Sequence, residues 1–329
     1  MKLSMADTAA HEKCETLLAL TRPLNEDEVE FVFSNWRPEA SHNINRDKAF
    51  FTPDDLAQHL AIVVGESGVF YDLCAGIGAL TYAVYSSIAT GHFGRLPDPV
   101  KKFVLIEKNP DFIRVGRRLL PDPRVVWVEG DIFDRELLRH VVAEHGYASW
   151  AYSNPPFGSV PKGSAGWLSF RGPADLMVAE VALRISRGGG VFLLSQTSCP
   201  FRLSGQRQHQ YLPEEHWPDH LQRFMKLFPG IDIRNPLAID TAEFEWRCAK
   251  PKIELADIDV RNGCRDLRLP LGLDAAAPSA KPRRCTPVVR ASPRAAEHTP
   301  ALRRARSKPA PVETKVEVET QEFVQTSFA

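Results

Sequence analysis

From about Phe50 to Gln196 the chain alternates short apolar runs with stretches of helical length and amphipathic pattern. Five runs, Val69 to Cys74, Phe103 to Glu107, Val125 to Val128, Trp150 to Ser153 and Gly190 to Ser195, are apolar at nearly every residue. A strand with one wet face alternates apolar and polar side chains, whereas a strand covered on both faces has no reason to. Between them, Leu80 to Ala89, Pro110 to Leu119, Arg135 to His145 and Pro173 to Arg187 predict helices, the last stopped by Gly188-Gly189-Gly190. Strands in regular alternation with helices predict an α/β fold with a doubly wound, mostly parallel sheet. Beyond Ser195 a polar loop carrying Pro200, Arg202, Arg207 and His209 leads to a helix over Pro213 to Leu227. Phe244 to Arg247 and Lys252 to Val260 then read as a final antiparallel pair around the turn Ala249-Lys250-Pro251.

The chain has 329 residues, 43% of them hydrophobic and 25% charged, which suits one large globular domain with extensions. We expect an irregular, partly helical lead-in over 1–49, the sheet domain over 50–262 and a tail over 263–329. The tail from Ala275 is rich in Ala, Pro, Arg, Ser and Thr, too poor in apolar area to offset its ordering entropy, and is expected to be disordered. The net charge is zero overall, yet Ala275 to Pro311 carries nine Lys or Arg against Glu297 alone, a net +8. Such a segment suits phosphate contacts, or a solubilising role. Its end, Val316 to Phe328, alternates Val and Glu like a strand that could pair with a partner, or simply frays. No apolar stretch approaches the ~20 residues that span a bilayer. No apolar h-region follows the N-terminal charge, so a cytoplasmic protein with no membrane partner is expected. The six cysteines show no C-x-x-C and no neighbouring His pair, so no metal and no disulfide framework are expected.

Chemistry is concentrated at the ends of the expected strands. Asp72, Cys74, Ala75, Gly76 and Gly78 form a strand-to-helix turn where glycine lets the backbone approach a ligand, beside the unpaired N–H groups of a helix start. Thr81 occupies the third glycine position of a dinucleotide fingerprint, which weakens an NAD or FAD assignment. Glu107 ends the second strand, where a carboxylate can accept from both hydroxyls of a ribose, or can simply be solvated. Asp131 ends the third strand and could face an adenine edge, or serve no ligand. After the fourth strand stands Asn154-Pro155-Pro156-Phe157. Two prolines fix φ twice and remove two donors, leaving a stiff, acceptor-rich turn. The Asn and Pro carbonyls can accept both protons of a planar amine while an aromatic ring two residues later stacks on the ring that carries it. Taken alone, the motif is also compatible with an ordinary rigid turn.

In this order, the motifs resemble those of S-adenosylmethionine-dependent methyltransferases, more narrowly the enzymes that methylate N6 of adenine in DNA. The resemblance covers about Phe50 to Gln196 and implies a Rossmann-like methyltransferase sheet with an antiparallel final strand. It implies that Asp72 to Gly78 wrap the methionine part of S-adenosylmethionine, that Glu107 holds the ribose, and that Asp131 meets the adenine. It further implies that Asn154, Pro155, Pro156 and Phe157 bind the target amine. The segment Phe51-Thr52-Pro53 looks like the one these enzymes place before the glycine loop, with Thr52 as N-cap, Pro53 in the first turn and both at the cofactor's carboxylate end. Cys74 departs from the family's usual glycine, which is tolerable if its φ stays negative. Only about 65 residues separate Gln196 from the tail, too few for a large target-recognition domain. DNA is the expected partner, with Arg202, Arg207, Tyr211 and the Lys162-to-Trp167 loop as groove candidates or as solvated loops with an anchoring Trp. RNA adenine, protein glutamine, a small-molecule acceptor and a catalytically silent DNA-binding protein are the alternatives.

Overall fold

The computed structural model describes residues 4–37, 51–64, 68–89, 102–158, 160, 165–187, 189–246 and 250–259. The tail over 263–329 and residues 162–164 lie outside them. Five strands, β1 (Val69–Leu73), β2 (Lys102–Glu107), β3 (Val125–Glu129), β4 (Trp150–Ser153) and β5 (Gly189–Ser195), run parallel, each within a residue or two of its expected position. With β8 (Asp232–Arg234) and β9 (Ile253–Asp259) they form one sheet in the order β3-β2-β1-β4-β5-β9-β8. The final strand β9 is antiparallel to both neighbours, pairing Gly189 with Asp259 and Ile233 with Ile258. Its expected partner, Phe244 to Arg247, is no strand over its described residues; Phe244 instead packs edge-on against His59. The true partner, Asp-Ile-Arg, buries only Ile233, and so short a strand shows no period in sequence. No helix among the described residues is long and apolar enough to cross a membrane.

Both faces of the sheet are covered, as the continuous apolar runs required. Tyr71, Leu73, Val104, Ile106, Phe192 and Leu194 face α6 (Arg135–His145), α7 (Ala174–Ile185) and α8 (Asp219–Leu227). Their neighbours Phe70, Phe103, Leu105, Val191 and Leu193 face α3 (Asp54–Val63) and α4 (Ala79–Ala89). The period of two along each strand divides these residues between two cores. Helix ends follow local chemistry. Asp134 caps α6 by accepting from Glu136 and Leu137 N–H, Asn109 caps α5 (Pro110–Leu119) from Asp111 N–H, and Gly146 at φ 84° ends α6. The helix expected from Pro213 is split. Pro218 holds Trp217 extended, so a short 3₁₀ turn over Glu214–His216 precedes α8.

The lead-in is more ordered than an irregular segment. Helix α1 (Met5–Leu18) is capped by Ser4, and α2 (Glu26–Asn35) by a reciprocal Asn25–Glu28 box. Both pack on α5 through Cys14, Leu18, Val32, Phe33 and Trp36 against Phe112, Val115 and Leu119. Arg118 of α5 donates to the carbonyls of Leu18, Leu20 and Arg22, a cation at the carboxyl end of α1 where the helix dipole favours it.

Candidate functional site

Sheet order reverses at β1, with β2 and β3 on one side and β4 and β5 on the other, and the crevice between β1 and β4 lies at that switch point. A cavity of about 450 Å³ opens there, lined by the loops after β1, β2, β3 and β4. That volume suits a small organic ligand. All the candidate residues except Pro53, Asp72 and Gly78 line it: Thr52, Cys74, Ala75, Gly76, Glu107, Asp131, Asn154, Pro155, Pro156 and Phe157.

The loop after β1 is the tightest element. Gly76 and Gly78 adopt φ of 59° and 92°, and a Cβ at Gly78 would sit 2.7 Å from Leu120. Cys74 has φ 70°, against the expectation of a negative value. Its N–H and that of Ala75 both donate to the Ile106 carbonyl, and this shared anchor on β2 holds Cys74 in the left-handed region. The conformation costs a non-glycine residue roughly 1–2 kcal/mol. Burial pushes the Cys74 thiol well above the usual range.

Asp72 does not reach the cavity. It is buried on β1, where its Oδ2 accepts from Thr81 Oγ1 at 2.7 Å, and Thr81 Oγ1 lies 3.0 Å from the Tyr152 hydroxyl. Oδ1 is buried and has no hydrogen-bond partner among the described residues. Desolvation, against the Thr81 bond and with repulsion from Glu107, pushes the carboxyl up to about 7. Asp72 lies within β1, one residue before its end, and its side chain turns to the α4 face, where Thr81 receives it.

Glu107 lines the cavity with its carboxylate tied to three backbone donors. Oε2 accepts from Gly76 at 2.8 Å, and Oε1 accepts from Lys108 and Asn109, both at 2.9 Å. Burial still outweighs those bonds and raises its pKa. A carboxylate has about four acceptor positions, so this geometry leaves room for one ribose hydroxyl, on Oε2, rather than the two expected. Asp131 is exposed at the end of β3, and its Oδ1 accepts from Phe133 N–H at 2.9 Å.

Thr52 is not an N-cap. Pro53 takes that position for α3 and no side chain bonds there; the Thr52 hydroxyl instead accepts from Asn154 Nδ2 at 3.0 Å, across 102 residues of sequence. That bond fixes the plane of the Asn154 amide. Pro155 is buried, Phe157 half-buried and Pro156 exposed.

Sequence reasoning missed the apolar wall opposite. Phe112 of α5 lines the cavity, as does Phe51, which the Thr-Pro resemblance included without a role. Their rings meet at 5.5 Å, and Trp36 packs edge-on against both, at 5.8 and 6.2 Å. The lead-in therefore backs the cavity. Phe112 occupies an ordinary apolar position of an amphipathic helix, and nothing in the sequence separates it from core. Of the groove candidates, Arg202 donates to the Cys199 and Phe201 carbonyls, and Trp167 donates to the Phe133 carbonyl at 2.7 Å, so both are anchors.

No protein-family model and no curated protein matches this chain. Among solved structures, it is similar to a protein assigned as an RNA methyltransferase from Pyrococcus horikoshii, at 16% identity and a TM-score of 0.40, covering 78% of this chain and 96% of that one. It is also similar to a protein assigned as a class I S-adenosylmethionine-dependent methyltransferase from Listeria monocytogenes, at 13% identity and a TM-score of 0.46, over 78% of this chain and 81% of that one. A third is a modification subunit assigned to a type I restriction enzyme of Vibrio vulnificus, at 13% identity and a TM-score of 0.46, over 73% of this chain and 51% of that one.

Proposed function

We propose that this protein transfers the methyl group of S-adenosylmethionine to the exocyclic N6 amine of adenine in DNA. The observation that carries the proposal is the Asn154-Pro155-Pro156-Phe157 turn at the rim of the switch-point cavity, with its amide held by Thr52. The cavity also suits the cofactor. Gly76 leaves open space on its ligand side, where even an added Cβ would meet only Phe51, at 3.8 Å. Ala79 and Leu80 bring the first turn of α4 to the wall, where N–H groups suit a carboxylate. Glu107 suits a ribose hydroxyl, Asp131 an adenine edge, and Phe51 and Phe112 give an apolar wall for the ring.

When bound, S-adenosylmethionine supplies an electrophilic methyl group on a sulfonium. The protein's part is to aim an amine at it. An aromatic amine is a weak nucleophile because its lone pair is delocalised into the ring. Hydrogen bonds from that amine to Asn154 Oδ1 and the Pro155 carbonyl favour a pyramidal nitrogen and expose the lone pair. Fixing the acceptors in advance supplies the positioning contribution. In a duplex the base would first flip out, at a few kcal/mol, offset in part by stacking on Phe157. The basic tail, over residues outside those described, would add salt-sensitive affinity without sequence choice.

The test is transfer of labelled methyl to unmethylated DNA, RNA and protein pools, with Asn154→Ala alongside and the product identified by mass spectrometry. N6-methyladenine in DNA, abolished by Asn154→Ala with cofactor binding retained, is the expected outcome. Label in RNA or on glutamine would replace the target, and cofactor binding without any transfer would refute catalysis.

A further inference from the structure

We infer that the hairpin following β5 is a base-stacking platform for the nucleic-acid strand that carries the target base; this rests on the nucleic-acid reading above. The hairpin pairs β6 (Phe201–Arg202) with β7 (Gln210–Tyr211), placing Phe201 opposite Tyr211. Three rings gather on it. His209 and Tyr211 lie 4.9 Å apart at 37°, and the buried Phe201 sits edge-on beneath them, 5.6 Å from His209 and 5.8 Å from Tyr211. Phe201 is wholly buried while Tyr211 is 60% exposed, so a supported aromatic face is held in water.

The platform is rigidly mounted. Glu254 on β9, with no solvent exposure, accepts from Leu203 N–H at 3.0 Å and from the Ser204 hydroxyl at 2.7 Å. Gln196 donates to the Ser204 carbonyl at 2.8 Å, Gly205 N–H donates to Asp240 at 2.9 Å, and Leu212 N–H closes the hairpin on the Pro200 carbonyl at 2.8 Å. A fully buried carboxylate under a surface loop fixes the geometry of what the loop presents. The hairpin grows from the carboxyl end of β5, the strand paired in parallel with β4, so it rises from the same edge of the sheet as Asn154.

The chemistry of the surface selects the partner. Beside the rings run Gln206, Arg207, Gln208 and Gln210, and Arg207 is exposed. A protein partner needs a contiguous buried patch of about 800 Å² per side, more than one exposed Tyr ring among glutamines supplies. A single strand of nucleic acid needs only a π-face for each base and a cation for a phosphate. Tyr211 and His209 provide the face, and Arg207 the cation.

The test uses the full chain and the anisotropy of a labelled single-stranded oligo-dA and of a duplex. Tyr211→Ala should weaken binding to the single strand at least about fivefold, whereas Tyr211→Phe, which keeps the ring, should stay within about twofold. The salt dependence should be unchanged by Tyr211→Ala and shallower by about one ion in Arg207→Ala. Because Tyr211 is exposed, folding is checked by circular dichroism, and cofactor affinity should stay at the parent value. Binding by the parent protein that Tyr211→Ala leaves unaltered would overturn this inference alone. No binding of either oligonucleotide by the parent protein would overturn it together with the DNA target.

Discussion

Replacing Asp72 by Asn isolates the energetics of a charge buried at the switch point. Asp72 is 1% exposed, one of its oxygens has no hydrogen-bond partner among the described residues, and its carboxyl is pushed from 3.8 up to about 7. Because the folded pKa lies above the unfolded one, protonation favours the folded state. The contribution is fully present below about pH 3.8 and is lost as pH rises through about 7. At 1.36 kcal/mol per unit, raising the pH from about 5 to about 8 should remove roughly 3 kcal/mol of stability through this group alone. Asn is neutral throughout and nearly isosteric. Its Nδ2 is a buried donor that costs about 1–3 kcal/mol if unpaired, but that term does not depend on pH. Urea unfolding followed by tryptophan fluorescence at the two pH values therefore gives a double difference. The gap between Asp72→Asn and the parent protein should shift by roughly 3 kcal/mol in favour of Asn at the higher pH. Groups that do not interact with Asp72 are common to both proteins and cancel, and the repulsion shared with Glu107 disappears together with the Asp72 charge and belongs to the same difference. Parallel pH profiles would refute the argument, because they would mean that the carboxyl is ionised at both ends of the range.

Substitutions at two further positions probe the loop and its backing wall. Cys74→Val should destabilise by about 1–2 kcal/mol, since a β-branched residue tolerates the left-handed region poorly, while Cys74→Gly should stay within about 1 kcal/mol of the parent; equal losses in chemical denaturation would contradict the strain. Trp36→Ala should cost about 3–5 kcal/mol and weaken cofactor binding, because Phe51 and Phe112 lose the ring behind them. A calorimetric titration showing unchanged affinity would separate the lead-in helices from the site.

What could be read from the sequence was whatever each segment determines by itself. The strands announced themselves because burial on two faces leaves few polar residues in β1 to β5, and α5 and α6 fall where expected because Asn109-Pro110 and Asp134 cap them. The lead-in resisted because α1 has no broad apolar stripe: Cys14 and Leu18 are its two buried residues, one turn apart. The left-handed Cys74 was hidden because cysteine does not advertise positive φ as glycine does. The same holds for Thr52, whose hydroxyl looked like a cap and is in fact the partner of Asn154. Contacts across a hundred residues depend on the register of the whole sheet, which no local spacing encodes.

Glu107 shows how that register shapes the candidate site's chemistry. Its carboxylate joins the end of β2 to the glycine loop through Gly76 and closes its own turn through Lys108 and Asn109. Glu107→Gln would set an NH₂ group against one of those N–H donors, so any lost affinity would mix loop displacement with the missing ribose contact. A titration of the parent protein avoids the confusion. Burial raises the Glu107 pKa, so the group gains its proton at a higher pH than an ordinary glutamate. A ribose hydroxyl donates best to the ionised form. Affinity for S-adenosylmethionine should then be level above the raised pKa and fall below it, approaching tenfold per pH unit as protonation competes with binding. The backbone bonds to Gly76, Lys108 and Asn109 are common to the free and bound protein, so the acid limb reports the ligand's share. Affinity that stays level well below the ordinary glutamate range, measured while circular dichroism shows the fold intact, would remove the cofactor from Glu107.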